Sequence, residues 1–183
     1  MNNNKEAILI MCHNNLNILK KTISLLDSEF FDFFVHIDKK SNIEINDIKN
    51  ICKKSQIYVF KEIKIRWADY SQVECEIFFF FLAVKGKYSY YHLISGVDMP
   101  LKKPKEIYDF FENSKDKEFI TYEDEIIPKI KIDWIKYYYF FGRISKKSKI
   151  IKILEFCNIL VQKILGINRI KDRNIIYKNG DNW

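Results

Sequence analysis

Short apolar runs alternate with patterns of helical spacing along the first half of the chain, and this alternation constrains the fold more than any other feature. Residues 7–12 form a continuous apolar run, and apolar residues from Leu16 to Leu26 then recur at helical intervals. Strands that alternate with helices build a mostly parallel sheet, so the sequence predicts a Rossmann-like α/β fold over residues 1–115. Further strands are predicted at residues 33–37, 57–60 and 90–94, with helices at 45–52 and 72–85 and from Pro104 onward.

Two signals mark the ends of the helix predicted over residues 72–85. Ser71 and Glu74 fit a capping box, in which each side chain pairs with an exposed backbone amide at the start of the helix. Gly86 supplies a C-terminal stop. Capping explains Glu74 without a catalytic role.

The rest of the chain is less regular. Apolar residues recur at helical spacing over residues 146–165 with lysines on the other face, which predicts an amphipathic helix. Residues 119–122 are predicted as a short strand and residues 123–125 as an acidic loop. Residues 132–141 are rich in aromatic side chains and are a strand candidate, with a helix as the open alternative. Because the chain has no internal repeat and no Pro/Gly-rich linker, a single domain is predicted over residues 1–183.

Charge and cysteine content bound the class of protein. The formal net charge of +7 arises from basic residues interspersed with acidic ones, and without a zinc finger, basic zipper or RNA-binding aromatic motif it does not indicate a nucleic-acid partner. The four cysteines are widely spaced, which predicts reduced thiols in a cytoplasmic protein. No secretory signal is recognisable, and the longest apolar stretch, residues 77–84, is far shorter than the ~20 residues of a membrane span.

Polar residues follow the predicted strands at the edge where parallel sheets bind ligands. Ser95, Gly96 and Asp98 follow the fourth strand, and a glycine there permits close approach of the backbone to a ligand. Asp38 follows the second strand, where an acid commonly binds a ribose or a base, and a role as a turn or cap residue is the open alternative. His13 follows the first strand and is placed to contact a nucleotide.

A loop of mixed chemistry precedes the predicted capped helix. Arg66 is suited to pair with phosphate, Trp67 to stack on a sugar or base ring, and the helix start at Ser71 to favour an anion. Core packing explains Trp67 equally well. His36, inside an apolar strand, is interpreted as a hydrogen-bonded core residue.

Several catalytic motifs are absent from the sequence. It contains no P-loop, no Gly-x-Gly-x-x-Gly and no Gly-x-Ser-x-Gly, which disfavours phosphoryl transfer from ATP, NAD chemistry and serine hydrolysis. It also lacks an Asp-x-Asp motif, the usual carboxylate clamp for a divalent ion on a nucleotide diphosphate. No metal site is therefore predicted, and the acidic residues 123–125 are interpreted as a solvated loop.

Four blocks in the first hundred or so residues carry a resemblance to a known family. They are residues 11–14, 36–41, 66–74 and 93–102. In this order the blocks resemble the core-2/I-branching β-1,6-N-acetylglucosaminyltransferases, glycosyltransferase family fourteen, which also includes peptide O-xylosyltransferases. Bacterial members look closer than animal ones. The family usually carries Trp-Gly-Gly where this chain has Trp67-Ala68-Asp69.

The resemblance implies a GT-A fold and a UDP-sugar donor. It implies inverting transfer of a sugar of N-acetylglucosamine or xylose type to a glycan or other hydroxyl acceptor, with no cofactor and no divalent metal. Residues 1–115 then form the nucleotide-sugar-binding half, and residues 116–183 begin the acceptor-side half. Acceptor contacts are expected from Asp98, Gly180 and Trp183. The donor site is expected to contain His13, Asp38, Arg66, Trp67, Ser71, Ser95, Gly96 and Asp98.

The resemblance also implies where the catalytic base lies. In the family a catalytic Glu and diphosphate-binding Arg and Lys residues follow a Gly-Ser-x-Trp motif, which corresponds here to residues 180–183. These residues are therefore expected beyond Trp183, and no base is assigned within the chain. We interpret the sequence as a fragment of a longer enzyme, with an inactive remnant as the alternative.

A non-catalytic role is the alternative function. The basic amphipathic helix predicted over residues 146–165 is suited to dock on an anionic membrane or on a protein partner. Core packing explains its periodicity at least as well. The two functions are compatible, and both agree with a cytoplasmic protein in peripheral contact with the inner membrane face.

Overall fold

The computed structural model describes residues 5–66, 69–114, 117, 119, 122–123, 135–141, 148–170 and 179–180. The chain divides into two units, Met1–Lys117 and Glu118–Trp183, and each is described by itself. A single domain whose two halves meet between residues 115 and 116 stays a prediction.

The first unit contains strands β1 (Glu6–Cys12), β2 (Phe31–Ile37), β3 (Ile57–Phe60) and β4 (Tyr91–Ser95). They form one sheet in the order β3-β2-β1-β4, and every neighbouring pair is parallel. Parallel neighbours require crossover connections, and helices supply those between β1 and β2 and between β3 and β4. The predicted Rossmann-like α/β fold is therefore confirmed.

Helices α1 (Leu16–Leu26), α2 (Tyr70–Ala83) and α3 (Pro104–Glu112) flank this sheet. The buried face of α1 carries Leu19, Ile23 and Leu26, as the spacing predicts, and Thr22 is buried among them. α3 begins at Pro104, where the first turn has no use for an N–H donor.

The two central strands bury side chains on both faces of the sheet. Ile8 and Ile10 belong to a core that includes α1, whereas Leu9 belongs to a second core with α2 on the other face. None of the three is more than 4% exposed. Burial on both faces explains why these strands are continuous apolar runs without polar alternation.

The helix predicted over residues 45–52 is wrong. Within it, Ile45–Asp47 forms a single turn of 3₁₀ helix. The chain then turns towards Asp27, whose carboxylate accepts the backbone N–H groups of residues 53–55 at 2.7, 3.0 and 2.8 Å. A carboxylate that satisfies successive amides offers the backbone an alternative to a helical ladder.

The capping box predicted for Ser71 and Glu74 is also wrong. The N-cap of α2 is Asp69, whose carboxylate accepts the N–H of Ser71 at 3.0 Å. The Ser71 hydroxyl instead accepts the N–H of Arg66 at 2.9 Å. One side chain therefore caps the helix while the other joins the helix to the preceding loop.

The end of α2 differs from the predicted stop at Gly86. A 3₁₀ turn, Val84–Gly86, continues the helix, and the left-handed residue is Lys87 with φ 54°. Gly86 does not have a positive φ. Its missing side chain leaves room for the Tyr88 ring, so its role is steric.

The second unit contains helix α4 (Lys149–Ile164) and the antiparallel strands β5 (Tyr122–Glu123) and β6 (Asn179–Gly180). α4 confirms the helix predicted over residues 146–165, of which residues 146–147 lie outside the described part. Across the described residues, no helix is both long and apolar enough to cross a membrane.

The strand considered for residues 132–141 is not formed in its described part, residues 135–141. The backbone of Tyr138 is satisfied by side chains of α4: its N–H donates to Gln162 at 2.8 Å, and its C=O accepts from Gln162 and Asn158 at 2.8 and 2.7 Å. Backbone groups held in this way are not available to a strand partner.

The strand predicted at residues 119–122 is displaced towards the C-terminus. Phe119 lies outside any strand, and β5 begins at Tyr122. Glu123, predicted in a loop, pairs with Asn179 in β6. Residues 120–121 and 124–125 lie outside the described part.

Candidate functional site

The strand order places a topological switch point between β1 and β4. From β1 the chain proceeds outward through β2 and β3, and then returns to the opposite side of β1 to form β4. In open parallel sheets, ligands bind in the crevice beyond the carboxyl ends of the strands where the order reverses in this way. Met11, near the end of β1, pairs with His36 on one side and with Ser95 on the other. The predicted site residues that follow β1, β2 and β4 therefore meet at one edge of the sheet.

Gly96 packs directly on the end of β1. Its N–H donates to the Met11 carbonyl at 2.7 Å. A methyl group added to Gly96 would lie 2.8 Å from Cβ and 3.0 Å from Cα of Cys12, which is closer than atoms of a side chain and a backbone normally approach. A glycine is therefore required here for the chain after β4 to reach β1.

Ser95 and Asp98 close a tight turn at this edge of the sheet. The Asp98 carboxylate accepts the Ser95 N–H through Oδ2 at 2.7 Å, and the Asp98 N–H donates to the Ser95 carbonyl at 3.1 Å. Thr22 of α1 supports this turn, because its hydroxyl donates to the Asp98 carbonyl at 2.7 Å. Asp98 is exposed, and its Oδ1 forms no hydrogen bond within the described residues. The turn thus presents a fixed carboxylate oxygen to solvent.

Asp38 is buried on the other side of β1. Its N–H donates to the Cys12 carbonyl at 2.7 Å, and its Oδ1 accepts the N–H groups of Lys40 and Ile65 at 3.0 and 3.3 Å. Oδ2 lies 3.4 Å from the Lys40 ammonium. Asp38 thereby ties the loop after β2 to the loop after β3, which is the turn role that the sequence left open.

His36 is a core residue, as the sequence indicates, and it is fully buried. Its Nε2 accepts the Ile63 N–H at 3.0 Å. Burial lowers the pKa of His36, although the carboxylates of Glu62 and Asp38 act in the opposite direction. The ring is therefore neutral, and it positions the loop after β3 without contributing charge to the crevice.

Arg66 and Ser71 are brought together by the backbone contact between them. Ile65, the neighbour of Arg66, binds Asp38, so the loop before α2 is joined to the loop after β2. The structure thus connects Asp38, Arg66 and Ser71 on one side of β1, and Ser95, Gly96 and Asp98 on the other.

His13 is exposed and directly follows β1. The next residues turn sharply, because Asn15 has φ 57° and forms the N-cap of α1. The preceding Cys12 thiol donates to the Asn14 carbonyl at 3.2 Å. Burial raises the pKa of the Cys12 thiol more than this hydrogen bond lowers it, so Cys12 is a neutral packing residue and not a nucleophile.

Trp67, Gly180 and Trp183 are not among the residues that the described part of the first unit brings to this edge of the sheet. Trp67 and Trp183 lie outside the described residues. Gly180 lies in β6 of the second unit, opposite Tyr122. Within the described residues, no group of three or more His, Cys, Asp or Glu side chains is arranged to hold a metal ion.

Sequence reasoning missed Thr22 and Asp69, which support the site. Thr22 is a polar residue on the buried face of an apolar helix, and that position signals a hydrogen-bond partner. Asp69 is among the residue types preferred at an N-cap and directly precedes α2. Neither signal identifies the partner, which for Thr22 lies 76 residues away along the chain.

A family model described as Branch, Core-2/I-Branching enzyme, matches residues 7–153 of the 183-residue chain. The matched range contains the four-stranded sheet except for Glu6, the first residue of β1, and it contains all the residues predicted to bind the donor. It confirms the resemblance that the four sequence blocks carry. No curated protein matches the chain.

Proposed function

The chain belongs to the core-2/I-branching enzyme family, whose members are glycosyltransferases, and on this premise we propose that the crevice between β1 and β4 binds a UDP-linked sugar. The observation that carries the proposal is the switch point, where Gly96 lies against β1 and Asp98 presents a carboxylate oxygen at the rim. The sugar is of N-acetylglucosamine or xylose type, and a glycan hydroxyl is the acceptor.

In this proposal the two sides of β1 have different tasks. The side with Asp38, Arg66 and Ser71 binds the nucleotide: the Arg66 guanidinium pairs with phosphate, and the start of α2 favours the anion. Asp38 holds the two loops in register, since backbone amides already occupy one of its oxygens. Trp67 stacks on the base or the sugar.

On the other side, Asp98 accepts hydrogen bonds from sugar hydroxyl groups. Its Oδ2 is engaged by the Ser95 N–H, which leaves Oδ1 to bind a ligand. His13, which directly follows β1, contacts the nucleotide. We assign Asp98 to positioning and not to proton transfer.

The proposed reaction is an inverting displacement that uses no divalent metal. A carboxylate removes the proton from the acceptor hydroxyl, the resulting oxygen attacks the anomeric carbon, and the bond to the UDP phosphate oxygen breaks. Cationic side chains stabilise the departing diphosphate in place of a metal ion. The net positive charge of the chain agrees with an anionic donor.

Saturation-transfer NMR tests donor binding directly. We expect saturation of UDP-N-acetylglucosamine or UDP-xylose, weaker saturation of GDP-mannose, and no change when EDTA is added. Asp98→Ala should lower the affinity about tenfold, because one charge-assisted hydrogen bond is lost. Asp109→Ala, which removes an exposed carboxylate paired with Lys105 on α3, is the matched control.

Each result bears on a different part of the proposal. Absence of saturation for all nucleotide sugars would reject donor binding at this crevice. Loss of UDP-sugar binding in EDTA would reject metal independence and leave the donor site standing. An equal effect of Asp98→Ala and Asp109→Ala would reject the role of Asp98.

A second function is favoured by the surface of α4. Its inward side is polar, with Gln162 buried against the backbone of Tyr138, while Ile150, Ile153 and Phe156 are exposed. Exposed apolar side chains on a lysine-containing helix suit the interface of an anionic membrane. We propose that α4 makes this peripheral contact in addition to donor binding.

Co-sedimentation with vesicles tests the membrane contact. We expect the protein to bind vesicles that contain phosphatidylglycerol and to lose this binding in Ile153→Asp. Separately, Lys149→Glu with Lys152→Glu should weaken vesicle binding at low salt, because both ammonium groups lie on α4. Equal sedimentation of wild type and these variants would reject the proposal.

A further inference from the structure

Helix α2 carries exposed apolar side chains on the face that points away from the sheet. Its buried residues, Cys75, Phe79 and Ala83, pack in the second core of the sheet. On the opposite face, exposed apolar residues recur every three or four positions, which places them along one side of the helix. This set, named here the α2 stripe, consists of Tyr70, Val73, Ile77, Phe80, Phe81 and Val84.

The exposure of the α2 stripe is large. Ile77, Phe81 and Val84 are 55%, 66% and 58% exposed. A helix that is apolar on all sides is normally buried on all sides, and a contiguous exposed apolar patch marks an interaction surface. Within the described part of the first unit, the sheet covers one side of α2 and leaves the α2 stripe exposed on the other side.

Charged residues at the edge of the α2 stripe indicate which kind of partner would cover it. Glu74 and Lys85 are both exposed and are eleven residues apart, about three helical turns, so they lie on the same edge. The Lys85 ammonium lies 4.6 Å from the centre of the Phe81 ring, which fixes it beside the stripe. The edge is therefore negative towards its N-terminal end and positive towards its C-terminal end.

We propose that the α2 stripe is the interface of a homodimer in which the α2 helices of two copies pack antiparallel about a two-fold axis. Such an axis sets the N-terminal half of each stripe against the C-terminal half of the other, with equivalent edges on the same side. Ile77 then packs against the partner's Phe81, and Val73 against the partner's Val84. Glu74 faces the partner's Lys85, and the same pair forms twice.

The charges at the edge of the α2 stripe distinguish a second copy of the chain in the antiparallel direction from other partners. Parallel pairing about a two-fold axis would place the equivalent edges on opposite sides of the interface, so Glu74 and the partner's Lys85 would not meet. An anionic lipid surface selects a face bordered by lysines alone, and Glu74 at the edge opposes that contact. The stripe is complementary to a second copy of itself in the antiparallel direction.

Sedimentation equilibrium of the full chain tests the apolar part of the interface. We expect a reversible dimer, and we expect Ile77→Asp to raise its dissociation constant about 100-fold, because a carboxylate would be buried near the two-fold axis. Leu25→Asp, at a comparably exposed leucine of α1, is the matched control and should leave the constant unchanged.

Charge reversal tests the antiparallel register. Glu74→Lys alone and Lys85→Glu alone should each raise the dissociation constant about tenfold, since both symmetry-related pairs become repulsive. The double variant Glu74→Lys with Lys85→Glu should restore the wild-type constant. Circular dichroism verifies that these variants, all changed at exposed positions, are folded.

Three results would overturn the proposal. The first is a wild-type chain that is monomeric at all concentrations. This result includes the case in which the monomer binds vesicles through Ile77. The second is a dimer that Ile77→Asp leaves intact. The third is a double charge variant that dissociates as readily as the single variants. Restoration by the double variant is expected of self-pairing and of no other partner.

Discussion

Glu6 and His92 form a buried contact near the amino ends of β1 and β4, with Glu6 Oε2 2.8 Å from His92 Nε2. Glu6 is 0% exposed, and its Oε1 has no hydrogen-bond partner among the described residues. Burial raises the pKa of Glu6 above its usual 4.5; the contact with His92 lowers it in part, and the nearby Glu112 carboxylate raises it. Because the crevice lies at the carboxyl ends of the strands, this contact influences the fold and not the site.

The first prediction concerns the dependence of stability on pH. The fold favours the protonated form of Glu6, so its contribution to stability is fully present below pH 4.5 and is lost as the pH rises through the raised pKa. Glu6→Gln keeps a neutral side chain and should remove this loss. Urea unfolding from about pH 4 to pH 8 measures this effect. The free energy of unfolding of the variant minus that of the wild type should grow with pH. A difference that stays constant from about pH 4 to pH 8 would contradict the prediction.

The second prediction concerns the steric fit of Gly96 on Cys12. Gly96→Ala places a methyl group 2.8 Å from the Cys12 Cβ and should destabilise the fold by about 1–3 kcal/mol. The cost should be smaller in a Cys12→Gly background, which removes the Cβ and Sγ atoms that the methyl group meets. Chemical denaturation of the four combinations gives the coupling energy. Strict additivity of the two changes would show that this contact does not limit the position.

The sheet was predictable because its strands are short, mainly apolar runs, and the two central strands, β1 and β2, are buried on both faces. The short segment at residues 45–52 was not, since Ile45, Ile48 and Ile51 recur at three-residue spacing, which fits a 3₁₀ turn as well as an α-helix. The decisive contact comes from Asp27, a residue outside the segment. Local periodicity contains no information on such a contact.

The site shows the same limit. Polar residues at strand ends predicted the edge of the sheet where the crevice lies, because parallel strands end together. The supporting contacts were missed where two residues compete for one role, as Asp69 and Ser71 do for the cap of α2. The Ser71 hydroxyl is taken by the Arg66 N–H, and only the tertiary path of the loop determines this.

The third prediction concerns the loop that replaces the predicted helix. Burial acts to raise the pKa of Asp27, but hydrogen bonds from the backbone of residues 53–55 together outweigh it and lower the pKa below its usual 3.8. The stability that Asp27 contributes is therefore present above pH 3.8 and is lost as the pH falls through the lowered pKa. Asp27→Asn should cost about 1 kcal/mol at neutral pH and less in acid. A cost that does not shrink in acid unfolding experiments would contradict it.

The fourth prediction concerns the support that Thr22 gives to Asp98. Thr22→Val keeps the shape of the side chain but removes the hydroxyl that donates to the Asp98 carbonyl at 2.7 Å. We expect a loss of about 1 kcal/mol in the free energy of unfolding, and a UDP-sugar affinity about fivefold lower because the Asp98 turn is less well fixed. Thr22→Ser, which retains the hydroxyl, is the matched control and should keep most of the affinity even if its lost methyl group reduces stability. Denaturation and saturation-transfer NMR on the same samples separate the two effects. Equal affinities for the Val and Ser variants would show that the hydroxyl stabilises α1 without positioning Asp98.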